Sequence, residues 1–404
     1  MTPSRTRRTR RKTVVSTAAL LAVTAGCASP QSHRPTAPAA HRATTSPAST
    51  SAGGPAAHAG ADGFTLVASG DVLPHASIIR QAQRDANGSG YDFRPMLAGV
   101  RPVVARADLA ICHMETVYGP DGGPFTGYPA FKSPPQIATA LRETGYDSCS
   151  TASNHTLDDG ADGLRRTLDA LDKAGVRHAG SARTAEEAAR PTLLKAGGAT
   201  VAHLAYTYDT NGFPLPEGQP WAVNLIDEEK IVADARAARG SGADVVVVSM
   251  HWGTEWQNDP DEQQLGLARG LTASRSGGRP DIDLILGTHA HVPQAYEKVD
   301  GTWVVYGMGD QIAGDMINNA GAFDPRGNQG TIGRFTFAPP TEPGGRWQVA
   351  KAEYLPQWFN TATGRVTNVN AAIDRGENLT PVRDEIRRAV LSRGADKDGL
   401  VEGK

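Results

Sequence analysis

Runs of apolar, β-forming residues alternate along this chain with amphipathic stretches, and polar residues gather where the runs stop. The runs predict strands over 64–69, 109–113, 147–152, 199–207, 243–250, 282–286, 302–306 and 333–337. Val245-Val246-Val247-Val248 is apolar at every position, the pattern of a strand covered on both faces. Helical periodicity predicts helices over 74–86, 135–144, 163–174, 227–239 and 259–271, and one over 93–105 broken by Pro102. Gly145 and Gly175 follow two of these helices, where a left-handed cap is cheap. Strands alternating with helices imply βαβ units and a largely parallel central sheet, hence an α/β fold.

The first 61 residues stand outside this pattern. Residues 5–12 are densely basic, and the uncharged stretch over 14–25 is too short to span a bilayer comfortably. It ends in Thr24-Ala25-Gly26-Cys27, which resembles a lipoprotein cleavage site, so 1–27 is expected to be a lipoprotein-type signal peptide with Cys27 lipidated. Thr9-Arg10-Arg11-Lys12 resembles a twin-arginine export signal. The expected location is the outer face of the cytoplasmic membrane, held by lipid; a plain secretory peptide and a secreted protein are the alternative. Residues 28–61 are almost all Ser, Thr, Ala, Pro, His and Gly, with no large apolar residue to offset the entropy of ordering, and read as a tether. The folded domain is expected over 62–375, with a charged tail over 376–404 in which 384–393 form a surface helix.

A net charge of −2 gives no electrostatic reason to expect nucleic-acid binding. Three cysteines do not describe a disulfide scaffold. With Cys27 assigned to lipid, Cys112 and Cys149 remain in two expected strands, either paired or as buried thiols.

The polar segments at the strand ends carry the chemistry. They are Gly70-Asp71, His113-Met114-Glu115, Asn154-His155, His251-Trp252-Gly253, His289-Ala290-His291 and Tyr306-Gly307-Met308-Gly309-Asp310. Taken singly, Asp71 reads as a turn residue, Asn154 as an Asx turn and His251 as a core histidine. The ordered set points instead to a metal-dependent hydrolytic site, because α/β folds build sites where strands end. His289 and His291, two apart in an expected extended segment, should point the same way, as two ligands of one ion must. Imidazole with carboxylate oxygen suits Zn, Fe or Mn.

At these motifs the chain resembles the CapA (PGA_cap) family of bacterial capsule and poly-γ-glutamate synthesis, within the calcineurin-like metallophosphoesterase superfamily. The resemblance runs from about Phe64 to Gln311. It rests most on His251-Trp252-Gly253-Thr254-Glu255 and Gly287-Thr288-His289-Ala290-His291-Val292-Pro293-Gln294, with support from Asn154-His155-Thr156-Leu157-Asp158-Asp159-Gly160. It implies metallophosphoesterase-like stacked β-sheets flanked by helices, an αββα sandwich, with metal at the strand ends. By that resemblance Asp71, Glu115, Asn154, His251, His289 and His291 hold one or two divalent ions (Mn, Zn or Fe), with Glu115 bridging. His155 would be the general acid, oriented by Asp158 or Asp159. His113, Glu255 and Asp310 would support the ligands from behind.

The chain departs from the family at three of these places. His113 and Asp310 each stand where the family has Asn, and Ser153 replaces the first of two asparagines. Leu73 occupies the place of the histidine in the Asp-x-His opening of ordinary metallophosphoesterases, with His75 nearby. The function implied is phosphoester hydrolysis in the synthesis of an anionic cell-surface or cell-wall polymer, its partners being that polymer or a phosphoester substrate and the membrane. The rivals are a non-catalytic polymer-binding or export accessory protein, and a hydrolase of amide or ester bonds in such a polymer.

Overall fold

The computed structural model describes residues 63–342 and 344–404. The signal segment, Cys27 and the tether lie outside the described residues. Those residues build two large mixed sheets and a separate two-stranded ribbon rather than one central parallel sheet. In the nine-stranded sheet the order is Arg365–Asn368, Gln348–Asn360, Gln329–Ala338, Phe64–Val72, Leu109–Met114, Ser148–Ser150, Arg177–Ala179. Asp310–Ile312 pairs with Phe64–Val72, and Leu400–Glu402 with Gln348–Asn360. The six-stranded sheet runs Tyr296–Val299, Thr302–Val305, Leu284–Thr288, Val245–His251, Ala199–Thr207, Thr192–Ala196. Strands joined by helices pair parallel, such as Leu109–Met114 beside Phe64–Val72 and Leu284–Thr288 beside Val245–His251, and Leu284–Thr288 also pairs parallel with Thr302–Val305. Hairpin neighbours pair antiparallel.

The sheets stack because their strands are apolar on both faces. Phe64, Leu66, Ala68, Leu109 and Ile111 from one sheet meet Val201, Val245, Val247, Leu284 and Leu286 from the other. The alternate residues point outward. Val67, Ala110 and Cys112 pack on Ile137 and Leu141 of the helix Gln136–Thr144 and on Leu171 of Gly160–Ala174. Val246, Val248 and Ile285 pack on Ile231 and Ala235 of Glu228–Gly240 and on Leu271 of Glu262–Ala273. Helix, sheet, sheet, helix is the expected layering, and the period of two along each strand produces it.

The chain's own capping residues end and begin these helices. Gly145 and Gly175 have φ of 118° and 78° and close their helices with bonds to the last carbonyls. Asp227 accepts from the Lys230 N–H, and Asp261 forms a capping box with Gln264. The stretch expected as one helix broken by Pro102 is two short helices, Arg94–Leu97 and Arg101–Val104, each with proline in its first turn.

The segment expected as a charged tail, 376–404, belongs to the fold. The helix Thr380–Val390 buries Ile386 and Val390 in the layer between the sheets, and Leu400 follows them there. Four-residue spacing of Val382, Ile386 and Val390 makes the apolar stripe, which the intervening arginines and acids conceal. Cys112 and Cys149 sit opposite each other on paired strands and are joined in a disulfide. No helix of the described residues is long and apolar enough to cross a membrane.

Candidate metal centre

Strands of both sheets stop at the same edge, and their ends converge. Asp71 and His113 are direct neighbours in the register of two parallel strands. Within the strand Leu109–Met114, Cys112 and Met114 face the helices, so His113, and Glu115 beyond it, fall on the opposite side. Gly70 is required where it stands: a Cβ there would collide with the Gly309 carbonyl oxygen, whose bond to the Asp71 N–H (3.0 Å) fixes the strand end. From the other sheet, His251 ends Val245–His251 and Thr288 ends Leu284–Thr288. Trp252 anchors the turn after His251 by donating to the Tyr306 carbonyl at 2.9 Å, and the next residue, Gly253 (φ 93°), leaves no room for a Cβ against Gln264.

The resulting cluster is tight and buried. His113 Nε2 and His251 Nδ1 lie 3.6 and 3.9 Å from Asp71 Oδ1, and His251 Nε2 lies 3.8 Å from Glu115 Oε1. His251 Nε2 donates to Asn154 Oδ1 at 2.9 Å, and its Nδ1 meets the Thr288 hydroxyl at 3.0 Å. His291 Nδ1 is 3.0 Å from Asp310 Oδ1 and 4.0 Å from Asp71 Oδ2. The backbone N–H of His289 donates to Asp71 Oδ2 at 3.0 Å. Three groups therefore bring one ligand atom per residue within 4.8 Å: Asp71, His113 and His251; Asp71, Glu115 and His291; Glu255, His289 and His291.

His289 and His291 reach the cluster by a different route from the extended one expected. Their φ values are 89° and 57°, so the segment is a turn and the period of two does not apply. A non-glycine residue in this region costs about 1–3 kcal/mol and persists where its surroundings fix it, which is commonest at functional sites. Glu255 stands at the same edge, where its carboxylate and the His289 and His291 rings bring one atom each within 4.8 Å of one another. His75 falls in none of the three groups; its ring packs edge-on to Phe131 at 5.1 Å. Leu73 is buried against Phe131, Ala313 and Met316.

The charges identify what the cluster fits. Asp71 Oδ1, both Glu115 oxygens, Asp310 Oδ2, His289 Nδ1 and both His113 nitrogens are buried with no hydrogen-bond partner in the protein. Unpartnered buried polar atoms are uncommon and costly, and charged ones the more so. Among the described residues no lysine or arginine pairs with Asp71, Glu115 or Asp310; all their ion-pair partners are histidines. Burial, with the Asp310 charge added, holds the Asp71 carboxyl well above the usual carboxylate range, and burial with Asp71 does the same to Glu115. Burial pushes the His251 and His289 imidazoles well below their ordinary range, which leaves them neutral. At His291 burial acts the same way, but Asp310, Glu115 and Asp71 outweigh it and raise the ring. Crowded carboxylates beside neutral imidazoles suit a divalent cation, whose charge would reverse these tendencies.

A second acidic group makes the contrast. Asp172, His178 and Glu187 also approach one another, beside a cavity of about 420 Å³. There Arg183 donates to Asp172 and Asp169 at 2.6 Å and to Glu187 as well, so the carboxylates already have their cation.

Beside the cluster, His155 Nδ1 is 2.7 Å from Asp158 Oδ2, and that oxygen also accepts from the Phe131 N–H at 2.6 Å. Asp159 is occupied elsewhere, with Lys132 at 2.6 Å and Arg166. Asn211 (φ 52°) joins the two neighbours: its Oδ1 accepts from Asn154 Nδ2 at 3.3 Å and its Nδ2 lies 3.4 Å from His155 Nδ1. Tyr208 lies over His289, ring centroids 4.4 Å apart. From sequence, Tyr208 and Asn211 read as part of a loop at the rim of the site, with packing the equal alternative for the aromatic ring. Both follow the end of the strand Ala199–Thr207, the same signal that marked the other segments.

Two stacked mixed sheets flanked by helices, with a cluster of potential metal ligands at their shared strand ends, define an α/β protein with a candidate metal centre. The chain matches the family described as bacterial capsule synthesis protein PGA_cap over residues 65–315, more than half its length, and belongs to that family. It is 30% identical over 174 residues to the PGA biosynthesis protein CapA of Bacillus subtilis (strain 168), covering 43% of this chain and 44% of that one. It is 26% identical over 180 residues to the capsule biosynthesis protein CapA of Bacillus anthracis, covering 44% and 42%. The matched stretch thus spans less than half the length of these two relatives. Among solved structures it aligns with a phosphatase from Mycoplasma pneumoniae (TM-score 0.45, 13% identity, 73% of this chain and 94% of that one). It also aligns with the calcineurin-like phosphoesterase YfkN from Bacillus subtilis (TM-score 0.42, 14% identity, 81% and 99%).

Proposed function

We propose that this CapA-like chain is an exported, lipid-anchored protein of capsular or cell-wall polymer synthesis that hydrolyses a phosphoester with one or two divalent ions. The observation that carries the chemistry is the set of unpartnered buried ligand atoms on Asp71, Glu115, His113 and His289, beside the His155–Asp158 pair. A divalent ion held there would act as a Lewis acid and activate water at neutral pH. Asp71, Glu115, Asn154, His251, His289 and His291 would hold it, with Mn, Zn or Fe the ions their oxygen and imidazole donors suit.

The protein's own groups supply the rest. Asp158 accepts a hydrogen bond from the Nδ1–H of His155 and fixes the ring; in the imidazolium form Nε2 carries the proton given to the leaving oxygen. Phe131 packs edge-on to the His155 ring at 4.7 Å and shields one side of it from water. An anionic polymer of the poly-γ-glutamate type, or a phosphoester intermediate in its assembly, is the proposed substrate context, supported by the family of the chain.

The test is hydrolysis of aryl phosphomonoesters and phosphodiesters by purified protein supplied with Mn or Zn. Turnover that a chelator abolishes supports the reading. Metal retained, no turnover on any ester and binding of poly-γ-glutamate would replace it with a non-catalytic accessory role.

A further inference from the structure

We infer that His113 is itself a metal ligand, so that one ion lies among the His113 and His251 imidazoles and the Asp71 carboxylate. The inference rests on the metal-centre reading above and goes beyond the six ligands assigned there.

The molecule contains its own control. His113 and His203 are both buried, at 2% and 0% exposure. His203 is fully satisfied: Nδ1 meets the Ser148 hydroxyl at 2.8 Å and Nε2 meets the Ser249 hydroxyl at 3.0 Å. His113 has no partner at either nitrogen. A neutral imidazole has one donor and one acceptor, and leaving such a group unmet in the interior costs about 1–3 kcal/mol. The fold satisfies one buried histidine with two serines and leaves the other to something outside the polypeptide.

The spacing says what that is. His113 Nε2 is 3.6 Å from Asp71 Oδ1, and that oxygen also lacks a hydrogen-bond partner. A hydrogen bond would bring them to about 2.7–3.2 Å. Two ligand atoms held by one ion at about 2.0–2.2 Å in tetrahedral geometry lie roughly 3.4 Å apart. His251 Nδ1, at 3.9 Å from the same oxygen, completes a triad of ligand spacing. The His113 and His251 rings are stacked with centroids 4.6 Å apart and 15° between their planes, so packing already fixes their orientation. The strand does not depend on the His113 ring: its backbone pairs with Asp71, just past a shift in register, and with Ser150.

Two imidazoles on one ion change which ions are favoured. Nitrogen donors select Zn or Fe over Mg, which prefers an all-oxygen shell. An asparagine at this position would offer an oxygen donor instead, so His113 should shift this chain's preference toward Zn.

The test begins with the unaltered protein, labelled with nitrogen-15 in its histidines and loaded with magnetic cadmium in place of the native ion. Nitrogen–cadmium coupling at His113, as well as at His251, His289 and His291, is expected. Coupling at the other three rings but none at His113 would overturn the inference and leave the metal centre standing. Absence of any bound ion would overturn both. The same question is put to His113→Ala and His113→Asn by chelator competition. Both should weaken Zn binding at one site at least about 100-fold, with His113→Asn recovering relative affinity for Mn. Unchanged Zn affinity in a folded variant would contradict a ligand role; the cadmium experiment decides the matter if neither variant folds.

Discussion

The Asp71 carboxylate accepts the backbone N–H of His289 at 3.0 Å, joining the end of one sheet to the turn that follows a strand of the other. One residue thus holds the two halves of the centre in register while its other oxygen, Oδ1, faces His113 and His251 without a hydrogen-bond partner. Burial and the Asp310 charge raise the Asp71 pKa in the metal-free fold. A carboxyl raised in the folded state contributes stability below its unfolded value and loses it as pH rises through the folded value. At neutral pH the metal-free protein therefore bears a cost at this position. Asp71→Asn keeps an oxygen for the His289 N–H and removes the charge. Metal-free Asp71→Asn should melt at or above the metal-free wild type near pH 7, yet lose the rise in melting temperature that added Zn or Mn gives wild type. A variant that melts well below wild type without metal, or keeps the full rise, would contradict this account of Asp71.

His155 should separate turnover from metal binding. It is held by Asp158 at 2.7 Å and belongs to none of the ligand groups. His155→Ala should retain metal and lose roughly 10²–10⁴-fold in turnover on alkyl phosphoesters, whose leaving oxygen needs a proton. On nitrophenyl esters, where it does not, much of the defect should vanish. Equal losses on both substrates, or none on the alkyl ester, would remove the general-acid role.

His203 gives a pH signature away from the metal ligands. Burial, and then the nearby His178, push its pKa down to about 3 in the fold. A base lowered in the folded state contributes stability that is present above its unfolded value, near 6.5, and is lost as pH falls through the folded value. Over that window the loss is on the order of 4–5 kcal/mol. His203→Gln should be less stable at neutral pH but lose less on acidification between about pH 6.5 and pH 4. Urea midpoints across that range measure it, and parallel curves for the two proteins would contradict it.

Anchoring is tested at Cys27. If the segment over 1–27 is a lipoprotein signal, Cys27→Ser should leave the precursor uncleaved or release the protein from the membrane fraction. Normal processing with unchanged membrane retention would exclude the lipid anchor.

Much of the fold was legible because its central strands are apolar at every position. Val245 to Val248 can only be a strand covered on both sides, and the polar residues after such strands mark the edge where they end. The long strand Gln348–Asn360 was not legible, since Lys351, Glu353, Pro356 and Gln357 interrupt its period; tertiary partners, including the Arg334–Glu353 pair, hold it in the sheet. The helix Thr380–Val390 was read as surface for a similar reason, its arginines masking Ile386 and Val390. At the site, residue types were legible and directions were not. The positive φ of His289 and His291, and the approach of Glu255 to both rings, depend on how a turn folds over the opposite sheet. His113 stands one strand away from Asp71, and only their pairing brings its ring beside that carboxylate.

The most direct test of the central claim is the divalent metal content of the purified protein after exhaustive dialysis, measured by elemental analysis beside Asp71→Asn. The account predicts one to two tightly held Zn, Fe or Mn ions per wild-type chain, and markedly less in the variant. A folded wild-type protein that retains no divalent ion, and takes none up when Zn, Fe and Mn are supplied, would contradict it.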